Sequence, residues 1–295
     1  MDGEQPLLRH AADAVLEAAP GPAVARLRGG AHLVAEVRAA VPPGASLGTS
    51  GAVLVALVAA LDRLVGGGRD ADALARLAHD AETRRAGREA GVQDQWAAAH
   101  GGAQLLAIGP YPEVRRQAVP LAPSTTAGLR DRLVTVSLGR HDSSLVHGRV
   151  ITDLVTCSTD GHHRARQSLR RLSELAGDAA DALGAGDLDR WGRVLTAATE
   201  QQAELGEGLV GHAHRRAVEV ARAAGAVGWK VNGAGGEGGS LTVLAADAAA
   251  AARLRADLAA ADPTWSVLDL TPWPAGVTAT VTVTATAEAD GGREP

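Results

Sequence analysis

The sequence predicts an α+β fold in two parts, and three observations carry the prediction. Helical patterns alternate with strands that lack the βαβ rhythm of a parallel sheet. The pattern shifts near residue 148 from short elements around a glycine loop to long helices. The chain has 295 residues, 46% of them apolar, enough for a sizeable core and for two domains, placed at 1–148 and 149–295.

The elements follow in order. Leu7 to Ala18 reads as a helix ended by the break at Pro20 to Pro22. His32 to Val41 mixes apolar and polar residues as a strand leading into P-P-G-A-S-L-G-T-S-G-A, residues 42–52. The apolar run from Ala52 predicts a helix to about Val65, stopped by Gly66, Gly67 and Gly68. Leu74, Leu77, Ala78 and Ala81 fall at i, i+3, i+4 and i+7, an amphipathic helix ended by Gly87 and Gly91. Another helix starts near Gln93 and reaches Gly101. Leu133 to Leu138 is a strand. Long helices follow over 164–185, 188–205 and 212–224. Trp229 to Leu244 reads as strand, glycine turn, strand, and an Ala-rich helix runs to about Ala260. Val277 to Val283 alternates Val and Thr as a closing strand.

Composition excludes several classes. A net charge of −5 and a pI near 6.1 lack the clustered basic footprint of nucleic-acid binding. The single cysteine, Cys157, rules out an internal disulfide and fits a reducing compartment. The N-terminus has no signal-peptide pattern and no apolar run nears membrane-span length, so a soluble cytoplasmic protein is expected.

The loop before Ala52 carries the most chemistry. Glycine removes the Cβ that blocks close approach to an anion, and the following helix offers unpaired N–H groups and its positive end. Phosphate is the expected guest, with Thr49 and Ser50 as helix caps and one hydroxyl free to reach a phosphate-bound Mg²⁺. A capped helix after a Gly/Pro loop is the plain alternative. Two further segments bear on the choice: H-D-A-E-T-R-R-A-G-R-E-A-G-V-Q-D-Q-W-A-A-A-H-G-G at 79–102 and G-W-K-V-N-G-A-G-G-E-G-G-S at 228–240.

With these three segments in this order, the chain resembles the GHMP kinases, and its Q-D-Q-x-A-A-x-x-G-G form resembles the sugar and heptose-7-phosphate kinase branch. The resemblance implies an N-terminal domain like domain 2 of ribosomal protein S5, then a ferredoxin-like C-terminal domain. It also implies ATP- and Mg²⁺-dependent phosphoryl transfer to a hydroxyl of a sugar or sugar phosphate. The alternative is a catalytically inactive, nucleotide-binding GHMP-like protein. The family's opening strand and glycine turn, A-P-x-R-I-x-x-x-G-G-G-T-D, has no counterpart here, so the N-terminal domain is expected to lack its first strands. A start assigned too late, a degenerate kinase and a partner supplying the strands are the open readings; the first is expected.

By the resemblance, Pro43, Gly44, Ala45, Ser46, Leu47, Gly48, Thr49 and Ser50 cradle the ATP phosphates. Ser50 and Glu82 hold the metal, and Asp94 is the catalytic base or orienting group. As plain alternatives, Glu82 pairs with Arg85 or Arg88 on a solvated helix, and Asp94 is an N-cap. Gly233, Gly235 and Gly236 approach the phosphates and Lys230 lies near them. G-x-G-x-x-G here is no dinucleotide fingerprint, because a strand follows it. Glu237 departs from the family's glycine and would repel phosphate unless turned away. Arg140 and His141 are expected to bind the acceptor, against a polar loop capping a helix at Ser143 or Ser144. The arginines at 164, 166, 170 and 171 read as a solvated face, and His162, His163, His212 and His214 as surface histidines.

Overall fold

The computed structural model describes residues 6–19, 21–28, 34–140 and 159–282. The first helices form where the apolar spacing predicts them. Helix α1 spans Pro6–Glu17, α3 Thr49–Leu64, α4 Ala71–Asp80 and α5 Gln93–His100. The break at 20–22 starts a further helix, α2, Gly21–Arg28. Proline is tolerated in a first helical turn, where its missing N–H leaves no bond unmade. Helix α4 runs directly into a π-helical turn, Ala81–Arg85, a local widening that often re-aims a side chain at a functional site.

Leu54, Val55 and Val58 of α3 are fully buried and pack with Val15, Ala75, Ala78, Val92 and Trp96 into one core. Each such aliphatic side chain contributes about 1.5–3 kcal/mol on burial. Strands β1 (Ala103–Ile108) and β2 (Val114–Val119) form an antiparallel hairpin beside it, followed by α6, Pro123–Arg132.

Strand β3, Leu133–Ser137, belongs to a second sheet with β4 (Gly228–Val231), β5 (Ser240–Leu244) and β6 (Ser266–Leu268), in the antiparallel order β4-β5-β3-β6. Helices α7 (Thr159–Gly184) and α8 (Leu188–Leu205) pair with each other, and α8 lies on β4. Helices α9 (His212–Ala223) and α10 (Ala248–Ala261) join the sheet's Val134, Val136, Leu241 and Val243 in a second core. Thr135 and Thr242 face each other across β3 and β5 with hydroxyls 3.1 Å apart, a cross-strand pair that fixes register.

Two predicted strands are not formed. Residues 34–40 and 277–282 take no regular secondary structure and join neither sheet. The alternating pattern is present, but a strand needs a partner, and among the described residues Val277 instead donates its N–H to Ala99 at the end of α5. No helix among the described residues is long and apolar enough to cross a membrane. Arg164, Arg166, Arg170 and Arg171 are solvated as expected. His214 is not a surface residue: it is fully buried, and its Nδ1 accepts the Gly211 N–H. His162 lies outside the residues with described side chains.

Candidate active site

The glycine loop enters α3 without a side-chain cap. Gly48 is the N-cap residue, left-handed at φ 69°, and makes no side-chain cap bond. The expected capping by Thr49 and Ser50 is therefore corrected: both sit inside the helix. Gly44 and Ser46 are also left-handed, at φ 80° and 56°. Three positive φ values at alternate positions turn the loop into a concave backbone, and Ser46 adopts a conformation that non-glycine residues rarely take.

The second sheet holds this loop. Ser240 Oγ donates to the Ala45 carbonyl at 2.5 Å, and Asn232 Nδ2 donates to Ser240 Oγ at 2.9 Å. A Cβ on Gly233 would come 3.1 Å from Ser46 Cβ, so the second glycine turn lies against the first.

Ser50, Glu82 and Asp94 meet in one cavity of about 1130 Å³ at this junction. Gly44 through Ser50, Arg88, Glu89, Ala90, Gly91, Gln93, Arg140, Asn232, Gly233 and Ala234 also line it. Its size lies slightly above the usual range of about 300–1,000 Å³ for small-molecule sites.

Glu82 is 5% exposed, and Gln95 Nε2 donates to its Oε2 at 2.6 Å. The Ser50 hydroxyl lies close enough to the same carboxylate to favour its charged form. The solvated pairing with Arg85 is thereby corrected: Arg85 bonds Glu17 at 2.8 Å, and the π turn carries Glu82 inward. Burial pushes the Glu82 carboxyl above its ordinary value and the nearby Asp94 charge adds to the rise, while Ser50, Arg88 and Gln95 oppose it.

A buried carboxylate beside a second acid and a hydroxyl is a donor set that a hard cation fits. Among the described residues no group of three His, Cys, Asp or Glu could hold a metal unaided. A cation here would need phosphate or water oxygens as well.

Asp94 lies in the first turn of α5, whose N-cap is Val92, so it is not the cap. Its side chain is wedged against α3. A Cβ on Gly48 would sit 2.9 Å from Asp94 Cγ, and one on Gly51 2.8 Å from Asp94 Cβ. A side chain at either position would meet the aspartate, and at Gly48 the left-handed φ of 69° disfavours one as well.

Other predicted residues lie apart from the cavity lining. Lys230 Nζ donates to Gln202 Oε1 at 2.6 Å and to the Val231 carbonyl, and burial lowers its pKa to about 8. Gln202 Nε2 in turn donates to the Gly233 carbonyl at 3.1 Å, so Lys230 braces the turn from behind. Gly235 packs against the Leu209 carbonyl and Gly236 donates its N–H to it at 2.9 Å. Glu237 turns away from the cavity and accepts the His212 N–H at 3.2 Å, which removes the repulsion its sequence position implied. Pro43 is exposed beside the loop. His141, Ser143 and Ser144 lie outside the described residues.

Sequence reasoning missed Arg88, Gln95, Asn232 and Ser240 as site groups. All four stand inside the quoted motif segments, but only the fold shows which way they face.

Residues 6–102 match the family described as GHMP kinases N terminal domain. The resemblance to the GHMP kinases carried by the motifs is thus shown as a match over these residues. Over 217 residues, 73% of its length, the chain is 31% identical to the bifunctional fucokinase/GDP-fucose pyrophosphorylase of Arabidopsis thaliana, and it spans 20% of that protein. The fold is similar to that of a D-glycero-D-manno-heptose 1-phosphate kinase from Bacteroides thetaiotaomicron, with TM-score 0.65, 20% identity, and 94% of this chain and 74% of that one covered. It is also similar to L. major mevalonate kinase in complex with R-mevalonate, with TM-score 0.61, 19% identity, and 95% and 81% covered. At these identities the two structures establish a shared mixed helix-and-sheet fold.

Proposed function

We propose that this chain transfers the terminal phosphoryl group of ATP to a hydroxyl of a sugar or sugar phosphate. One observation carries the reading: the uncapped glycine loop, the Ser50–Glu82 pair and Asp94 line a single cavity. Phosphoryl transfer asks a protein for a phosphate cradle, charge stabilisation and a group that orients the acceptor hydroxyl, and the loop, the Ser50–Glu82 pair and Asp94 would serve these needs in turn. The family match and the sugar kinases among its relatives support the substrate class.

In this reading the loop's N–H groups and the α3 N-terminus bind the phosphates. Ser50 and Glu82 would hold Mg²⁺, which supplies charge neutralisation on the phosphate oxygens. Asp94 accepts the proton of the attacking hydroxyl, at a position fixed by Gly48 and Gly51. Arg140 and Arg88 place positive charge along the cavity for anionic groups of substrate. Residues 1–148 act as the nucleotide-binding, S5 domain 2-like part and 149–295 as the ferredoxin-like part, with β3 reaching into the second sheet.

The test is acceptor-dependent ADP release over a panel of monosaccharides and sugar phosphates with Mg²⁺. A positioned general base contributes about 10²–10⁴-fold, so Asp94→Asn should lose turnover by that factor while ATP affinity stays within about threefold. Equal turnover by the variant removes Asp94 from the mechanism. ATP binding with no acceptor-dependent turnover by the wild type supports the inactive nucleotide-binding protein instead.

A further inference from the structure

The cavity wall between Glu82 and Asp94 is held from outside by the chain's single tyrosine. Residues 86–92 connect the metal-side carboxylate to the acceptor-side one, and Arg88, Glu89, Ala90 and Gly91 line the cavity. The Arg88 N–H bonds back to the Glu82 carbonyl at 3.1 Å. Beyond it the wall is tied at Ala90. Tyr111, at the tip of the β1–β2 hairpin, donates its hydroxyl to the Ala90 carbonyl at 3.0 Å. Its Oη also lies 2.9 Å from His79 Nε2, a contact whose donor follows the histidine tautomer, and His79 itself interacts with the Ala90 backbone. The two rings meet edge to face with centroids 5.6 Å apart.

His79 is a rigid anchor. It is 5% exposed and sits in α4, one turn before Glu82. Tyr111 is 59% exposed, so core packing does not account for the position of the ring. A chain with no Phe and one Tyr spends that Tyr on a hydroxyl contact to the cavity wall.

We propose that Tyr111, anchored on His79, is a positioning residue that fixes the 88–91 wall, and with it Arg88, on the acceptor side of the cavity. Its role in turnover rests on the kinase reading above; its structural effect does not. Tyr111→Phe deletes both hydrogen bonds and keeps the ring. A net hydrogen bond of about 0.5–1.5 kcal/mol corresponds to about 2- to 12-fold. Amide exchange at Arg88, whose N–H is the hydrogen-bonded amide of this wall, should therefore accelerate in the ligand-free chain by about that factor, while exchange in α3 stays unchanged. In the transfer assay, KM for the acceptor should rise by a similar factor with kcat within about twofold and KM for ATP unchanged. Arg88→Gln should add less than its own factor in the Tyr111→Phe background, because both act through one wall. Selective ¹³C labelling of tyrosine gives one ring signal, and in the wild type it should shift on acceptor binding.

Unchanged exchange at Arg88 overturns the proposal, as does accelerated exchange with an unaltered acceptor KM. Equal acceleration throughout α3 also overturns it, by showing general loosening. Accelerated exchange at Arg88 in a chain whose wild type transfers no phosphoryl group overturns the kinase reading and leaves the Tyr111 tie standing.

Discussion

Gly51→Ala is the substitution for which local propensity and tertiary structure disagree most. Gly51 lies in α3 with ordinary helical φ, and alanine there is favoured over glycine by about 1 kcal/mol in a helix interior. The fold opposes it. The added methyl would stand 2.8 Å from Asp94 Cβ, 3.3 Å from the Asp94 carbonyl carbon and 3.3 Å from the Gln95 nitrogen. Ordinary contact begins near 3.4 Å, so α3 and α5 must separate by about 0.6 Å (3.4 − 2.8). No side-chain rotation relieves the clash, because all three atoms are backbone or Cβ. Overpacking of this kind costs about 1–3 kcal/mol, which offsets the propensity gain and leaves a net loss of about 0–2 kcal/mol. The shift moves Asp94 directly. Misplacement by about 1 Å can lower a rate 10²-fold, so turnover should fall about 10- to 100-fold. The assay pairs a thermal melt with acceptor-dependent ADP release. Gly177→Ala is the control: it lies within α7 with nothing near its added methyl, and should melt slightly higher with unchanged turnover. Turnover within twofold for Gly51→Ala, together with a raised melting temperature, would refute the argument.

Three further outcomes are expected. Asp94→Asn should lose about 10²–10⁴-fold in turnover and keep ATP affinity, read by ADP release and nucleotide titration. For Glu82, the folded-state pKa is raised, so its contribution is fully present below the ordinary value of 4.5 and is lost as pH rises through the raised value. Glu82→Gln should flatten that decline in urea melts of the ligand-free protein and abolish the thermal upshift by Mg²⁺·ATP; an unchanged pH slope would count against a buried, charge-penalised carboxyl. For Lys230 the folded pKa is depressed to about 8 from 10.5, so stability is present above 10.5 and falls as pH drops through about 8. Lys230→Met should remove that slope between pH 10.5 and 8, and a parallel wild-type and variant profile would show the amine to be solvated.

What was legible in the sequence was local. Glycine loops, the Q-D-Q segment and the strand–turn–strand over 229–244 announce themselves by residue type and spacing, and these segments supply most of the cavity. What was illegible depends on partners distant in sequence. The hairpin over 103–119 reads weakly because V-R-R-Q-A-V is largely solvated and its strand character comes from pairing with β1. Helix α6 is short and polar, and β6 has three residues. The pattern in 277–282 reads as a strand by the same local rule, yet no sheet partner lies beside it among the described residues. Local pattern reports which face a segment would present; it does not report whether a neighbour is there to meet it.

The same distinction explains the site. The carboxylate at 82 looks solvated from its neighbours Arg85 and Arg88, and its burial follows from a π turn that widens the helix by one residue. That turn rotates Glu82 towards Ser50 and Gln95 and leaves Arg85 with Glu17. Glu237 is the converse case: a charge that appears incompatible with phosphate is harmless because the turn spends it on the N–H of His212. The sign of a charge in a motif therefore carries little information until its hydrogen-bond partner is known. In this chain the partner lies 13 residues away for Glu82 and 25 away for Glu237.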